Sequence, residues 1–464
     1  IYTGCLAEAA YYIESNGEAA IIDPLREVTP YIEKAEENGA KIKYVLETHF
    51  HADFVSGHID LANKTNAQIV YGPTAEPNFE ALIATDGQEL ALGEVTIKVL
   101  HTPGHTMESS SFLLLDQQRQ PKAVFTGDTL FIGDVGRPDL AVKTDLSRED
   151  LAGYLYESLR NKIMPLPDET VVYPGHGAGS ACGKHLSSET FDTLGHQKLF
   201  NYALRADMSK DEFIREVTEG LVEPPQYFPK NAVLNKMGYQ AIDEVLRKGI
   251  VDLDVAQFMD VVDRNDAIIL DTRSKEQLVK GYIPGSVWIG IEDNFAPWVG
   301  ALITDLNQPI VFLADEGAEE EVVTRLSRVG YDNTLGYLKG GIKSWMESGR
   351  TTESIDEISA EDFSKIYKDI PPLTLDVRKE SEYQAQHFAG STNFPLDFIN
   401  KNMHKLDKAH QYYLHCQGGY RSLIAVTILK ARGFQKLVNI QGGFDAIKAA
   451  GMPVSQYKEP TTML

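Results

Sequence analysis

The chain is poor in cysteine, in basic residues and in long apolar runs, and each scarcity excludes something. Only three cysteines occur among 464 residues, at positions 5, 182 and 416. They are too few and too scattered for a disulfide framework or a four-thiolate zinc site, so a reducing compartment fits best. No apolar run approaches the 18 residues of a membrane span, and residues 1–10 lack the basic and apolar parts of a secretion signal. Acidic residues outnumber basic ones 67 to 44, for a formal net charge of −23. That balance disfavours nucleic acid and anionic membranes as partners and favours cytoplasmic small-molecule work. The chain opens on Ile1 rather than Met, so native residues are expected before it.

The rest of the composition is that of a globular protein: 43% hydrophobic and 24% charged, enough for real cores. The length suggests about three domains at roughly 150 residues each. Over residues 1–235, short β-rich runs (19–22, 44–47, 95–100, 123–125, 171–173) alternate with helix-like stretches. A proline-containing stretch at 222–229 precedes a linker and helix over 236–250. Beyond it the chain repeats itself. Asp271-Thr272-Arg273 recurs as Asp376-Val377-Arg378, 105 residues later, and Gly340-Gly341 recurs as Gly442-Gly443. Each unit, 251–352 and 353–464, opens with a buried-strand signal, shows a second, and follows each with helical patterns. This predicts two small parallel α/β domains.

Three motifs in the first part follow strand-like runs, where loops can aim several side chains at one point. They are Thr48-His49-Phe50-His51-Ala52-Asp53-Phe54, Pro103-Gly104-His105 and Gly127-Asp128. Two imidazoles and a carboxylate form the set that leaves positions open on a mononuclear iron. The first motif resembles the His-x-His-x-Asp-His signature of the metallo-β-lactamase superfamily, except that Phe54 stands where a second metal would take a histidine. From Gly17 to about Gly177 the match is similar to the persulfide dioxygenase branch of that superfamily. The resemblance implies one Fe(II) held by His49, His105 and Asp128, with His51, Asp53 and His176 hydrogen-bonding ligands or bound water. It also implies that Arg137, Asp139 and Tyr173 line a substrate channel, Arg137 suiting the carboxylate of glutathione or the phosphates of coenzyme A. An Arg137–Asp139 loop ion pair is the plainer alternative. Zinc binds such ligands equally well, so a glyoxalase II-like zinc thioester hydrolase is the competing expectation. Phe54 speaks against it. Cys182, six residues after His176, is either a packing residue or a group that touches substrate, and Cys5 reads as structural.

In the last unit a strand-like run delivers Cys416-Gln417-Gly418-Gly419-Tyr420-Arg421-Ser422. Successive backbone N–H groups and a following helix N-terminus make an anion cradle that stabilises a thiolate or persulfide sulfur. Arg421 adds a charge for the sulfonate end of thiosulfate or sulfite. The loop resembles that of rhodanese sulfurtransferases, with Asp376, Arg378 and Gly442-Gly443 in place. Cys-x4-Arg fits a sulfur atom, where related phosphatases use Cys-x5-Arg. In the first repeat a small gap puts Asp315 at the cysteine position and Glu320 at that of Arg421. That repeat is then catalytically dead, a spacer or oligomer contact.

The whole chain therefore resembles fusions of a persulfide dioxygenase with two rhodanese-like domains. The fold this implies is a metallo-β-lactamase αββα sandwich followed by two three-layer α/β/α domains with parallel sheets. The partners it implies are a thiol persulfide, O2 and sulfite or thiosulfate, in a homo-oligomer.

Overall fold

A computed structural model describes residues 1–140, 146–184, 186–292, 294–369 and 371–458. It divides into two compact units, Ile1–Ile242 with Ser327–Gly330, and Asp243–Leu326 with the described residues from Tyr331 onward. No helix among the described residues is long and apolar enough to cross a membrane.

The first unit is an αββα sandwich. One sheet runs, in spatial order, Tyr11–Ser15, Glu18–Ile22, Lys41–Leu46, Gln68–Tyr71 and Leu82–Ile83. Only its first pair is antiparallel. The other sheet runs Asp192–Thr193, Val171–Pro174, Pro121–Gly127, Ser110–Leu115, Val95–His101 and Glu89–Leu92. Alternation along a strand sends successive side chains to opposite faces. Thus Ala20 and Ile22 join Leu46, Val70, Ile97, Val99, Phe112 and Phe125 between the sheets. Ala19 and Ile21 instead pack outward on Tyr31, Ala35 and Leu61 of the helices Thr29–Glu37 and His58–Thr65. Burial on both faces explains why 19–22 reads as one unbroken apolar run. On the far side, Ala152 and Leu155 of Arg148–Ser158 cover Val124 and Val172.

The second unit holds two parallel five-stranded sheets of the same order. The first is Asp252–Leu253, Thr334–Leu338, Ile310–Leu313, Ile268–Asp271 and Val287–Trp288. The second is Asp356–Ile358, Leu437–Ile440, Tyr412–His415, Thr374–Asp376 and Ser391–Asn393. Pairing fixes how the repeats align. Asp271 lies opposite Leu313, and Asp376 opposite His415. Ala314, not Asp315, therefore occupies the position of Cys416, and Glu319, not Glu320, that of Arg421. The left-handed glycines agree, Gly317 (φ 90°) matching Gly419 (φ 104°). The extra residues of the first repeat thus all lie before the strand Ile310–Leu313. The first repeat still lacks a sulfur nucleophile.

Neither is that repeat a spacer. Its edge strand packs on the helix Tyr420–Ala431, which follows the Cys416 loop. The backbone N–H of Trp288 donates to Thr427 Oγ1 at 3.1 Å, and its ring meets that of Tyr420 edge-on at 5.0 Å. Tyr420 in turn donates its hydroxyl to Gly290 O at 3.0 Å. Ser422 through Leu429 are all buried. A helix this apolar needs cover on both sides, and the noncatalytic repeat supplies one of them.

Candidate metal centre and cysteine cradle

His49 and Asp53 lie in the loop after Lys41–Leu46. His105 follows Val95–His101, Asp128 follows Pro121–Gly127, and His176 follows Val171–Pro174. Both sheets thus contribute strand ends to one point. Ligand atoms of His49, His105 and Asp128 lie within 4.8 Å of one another, all buried. Asp128 Oδ2 is 3.4 Å from His105 Nε2 and 4.0 Å from His49 Nε2.

The far sides of these groups are hydrogen-bonded in a way that leaves the near sides free. His105 Nδ1 donates to the backbone carbonyl of Arg137 at 2.9 Å. Thr48 Oγ1 donates to Asp23 Oδ2 at 2.8 Å and so presents a lone pair to His49 Nδ1 at 2.9 Å. Each imidazole then carries its proton on Nδ1 and turns Nε2 inward as a ligand. Burial, with the neighbouring His51, pushes His49 well below its ordinary range and keeps it neutral. Asp128 Oδ2 is buried without a hydrogen-bond partner. An orphaned carboxylate oxygen facing two lone pairs is costly without a cation, so the residues fit one divalent metal.

His176 stands between two carboxylates. Its Nδ1 is 2.7 Å from Asp128 Oδ1, and its Nε2 is 2.7 Å from Asp53 Oδ2. Burial would lower it, but the two acids override burial and raise it well above the usual imidazole range. Burial would likewise raise Asp128. The charge and hydrogen bond of His176, with the two ligand histidines, hold it well below the usual carboxylate range.

The other expected residues fall in varied places. His51 makes no hydrogen bond to the triad. Its Nε2 sits 3.1 Å from Asp23 Oδ1 and 3.8 Å from Glu47 Oε2, while Phe54 packs on its ring at 4.4 Å. Of the two expectations for Arg137, the structure shows the loop ion pair with Asp139, and most of the buried guanidinium's donors are engaged within the protein. Nε and Nη2 bond Asp139 at 2.7 and 2.8 Å, Nη1 bonds Ala181 O, and Nη2 also bonds Val222 O. Tyr173 lies in an aromatic stack with Phe125 and Tyr11. Cys182 is buried beside Asp53 and His176, and burial, reinforced by Asp53 and Asp128, pushes its thiol up. Asp23 and Thr48, which orient His49, carry no signal that sequence reasoning could use.

In the second unit the Cys416 loop closes on its own sulfur. The Gly419 N–H donates to Sγ at 3.1 Å, and Ser422 Oγ lies 3.7 Å from it. The Phe444 N–H holds the Cys416 carbonyl at 2.7 Å. A Cβ on Gly443 (φ 59°) would come 2.4 Å from that same carbonyl, which explains the second glycine of the repeated pair. Gln417 bridges Arg378 and Asp445, and Gly418 faces open space. Arg421 pairs with Glu382, a residue the sequence reading passed over.

Residues 3–176 match the metallo-beta-lactamase superfamily, and residues 254–348 and 359–450 each match the rhodanese-like domain. The cytoplasmic hydroxyacylglutathione hydrolase of Arabidopsis thaliana is 36% identical over 177 residues, which cover 37% of this chain and 65% of that one, under two thirds of its length. A probable hydroxyacylglutathione hydrolase of Schizosaccharomyces pombe is 30% identical over 230 residues, 44% of this chain and 85% of the relative. Among solved structures, a metallo-beta-lactamase from Staphylococcus aureus superposes with a TM-score of 0.64 at 33% identity, covering 73% of this chain and 97% of that one.

Proposed function

The chain belongs to the metallo-beta-lactamase superfamily and carries two rhodanese-like domains, and from that premise we propose that it oxidises low-molecular-weight thiol persulfides at one iron and moves sulfane sulfur through Cys416. The overall oxidation is RSSH + O2 + H2O → RSH + SO3²⁻ + 2 H⁺. Fe(II) held by His49, His105 and Asp128 supplies the redox chemistry and the open coordination positions this reaction needs. The protein's own part is positional. Thr48 and the Arg137 carbonyl fix the two ring tautomers, His176 anchors Asp128, and burial keeps bulk water from the site. At the other site Cys416 serves as the nucleophile that accepts a sulfane sulfur and passes it on.

The observation that carries this reading is the engagement of His176. Asp53 and His176, which with a histidine at position 54 would make a second metal site, hold each other instead, and Phe54 adds no ligand. Bonded to both acids, the His176 ring takes up the carboxylate oxygens that a second cation would need. The relatives' names favour a second reading, a zinc-dependent hydroxyacylglutathione hydrolase with an accessory sulfurtransferase.

Metal content of anaerobically purified protein, with O2 uptake on adding glutathione persulfide, separates the two. One iron per chain and one sulfite per O2 is the expected result. Zinc, no O2 uptake after ferrous reconstitution, and hydrolysis of a glutathione thioester would establish the hydrolase.

A further inference from the structure

Arg421 is the cation that the Cys416 loop was expected to offer a sulfonate, yet both of its terminal nitrogens already engage one carboxylate. Nη2 donates to Glu382 Oε1 at 2.8 Å and Nη1 to Oε2. The two side chains are only 18% and 16% exposed, so water screens the pair weakly. The Lys379 N–H, 3.1 Å from Glu382 Oε2, helps hold the carboxylate in place. Burial pushes Glu382 up, but the hydrogen bonds and charge of Arg421 outweigh it and keep the carboxyl below its usual range.

The neighbouring guanidinium is no freer. Arg378 bonds Asp376 bidentately, with Nη2 2.6 Å from Oδ2, and also reaches Gln386 O and Gln417 Oε1. Asp397 adds another carboxyl felt by both Arg421 and Glu382. Toward the sulfur itself the loop turns backbone, the Gly419 N–H on Cys416 Sγ. The first repeat is instructive here. Counting six residues from its Asp271 gives Gln277 in place of Glu382, and Glu319 stands in place of Arg421. Gln277 Nε2 bonds Asp315 Oδ1 instead. The repeat without the cysteine lacks both halves of the pair.

We infer that Glu382 determines specificity at Cys416: by occupying the fork of Arg421, it weakens the cradle's hold on doubly charged sulfite and thiosulfate relative to an organic persulfide. The inference rests on the reading of Cys416 as a sulfur carrier. With a persulfide donor, the Cys416 thiolate forms an Sγ–S bond to the sulfane sulfur of R–S–S–H. The donor S–S bond breaks, R–S⁻ leaves with the electron pair, and the proton stays on the transferred sulfur. With thiosulfate the same bond forms, but the leaving group is SO3²⁻, whose charge calls for a free guanidinium. Glu382 touches neither sulfur and acts through Arg421.

The test compares full-length wild type with Glu382→Gln, alongside Cys416→Ser. Three quantities are read: the sulfite concentration that half-protects Cys416 from iodoacetamide, the KM for thiosulfate with cyanide as acceptor, and kcat/KM for an uncharged alkyl persulfide. In Glu382→Gln the first two are expected to fall about tenfold, about 1.4 kcal/mol, with a steeper salt dependence, while the persulfide value stays within about twofold. Removing both partners in Glu382→Gln/Arg421→Gln should abolish the gain. An unchanged or raised thiosulfate KM, or equal gains with both donors, would overturn the role of Glu382. If circular dichroism shows Glu382→Gln unfolded, Glu382→Asp, which shortens the reach but keeps the charge, should shift the same values about threefold, and no shift would overturn it. Sulfur transfer persisting in Cys416→Ser, or absent from wild type, would instead remove the reading of Cys416 itself.

Discussion

On the proposed reading, His176 is the side chain that limits the site to one metal. Its ring spans Asp53 and Asp128 and bonds both, and the two acids shift it toward the protonated form. His176→Gln removes the ring that bonds both acids. Loss of such a supporting hydrogen bond typically costs about 10- to 100-fold in metal affinity. That range is expected here, read by competition with a chromophoric chelator, and an unchanged affinity would show that Asp128 needs no anchor. The residue scale is also where sequence reading was least complete. Arg137 has the charge to bind a carboxylate, but four of its five donors go to Asp139 and two backbone carbonyls. Nothing in its local pattern distinguishes the two uses.

At the scale of elements, the metal centre depends on how closely loops approach one another. Gly136 passes directly behind the ligands. A Cβ there would lie 1.9 Å from the Asp128 carbonyl and 3.0 Å from His105 Nδ1. Gly136→Ala must therefore push the strand-end loops apart, and we expect a fold that melts cooperatively but retains less than about a tenth of the iron after dialysis. Full metal retention would show that the loops can yield. In the second unit the corresponding contact is between the edge strand Val287–Trp288 and the helix Tyr420–Ala431. Trp288 is fully buried and holds that helix by a hydrogen bond and a ring contact. Trp288→Ala should cost about 3–5 kcal/mol, the usual range for a large core truncation. Denaturant unfolding followed on the second unit's signal would measure it, with faster alkylation of Cys416 as the local readout. A loss under about 1 kcal/mol would return the first repeat to the status of a spacer.

For the whole molecule, the proposed reading puts two chemistries on one chain without shared residues. Iron chelation or Asp128→Asn is expected to reduce persulfide-dependent O2 uptake at least about a hundredfold, leaving sulfur transfer from thiosulfate to cyanide within about twofold. Cys416→Ser should do the reverse when persulfide is supplied directly. An oxygen electrode and a thiocyanate assay on the same preparations decide it. If Cys416→Ser also abolished O2 uptake, the two sites could not be independent.

Local pattern alone was enough to pick out His49, His105 and Asp128, which the fold brings together, the Cys416 loop, and the organisation into a sandwich and two repeats. Ligands at strand ends and glycines in tight loops leave their mark within a few residues, and so do apolar runs of strand length. What only the tertiary structure decided lies between distant segments. His176 meets Asp53 across 123 residues and Asp128 across 48, and Glu382 meets Arg421 across 39. Ala314 rather than Asp315 matches Cys416 because strand pairing, not residue counting, sets the register. Hydrogen-bond partners of buried charges are chosen by packing, and packing brings together groups whose spacing along the chain carries no period to read.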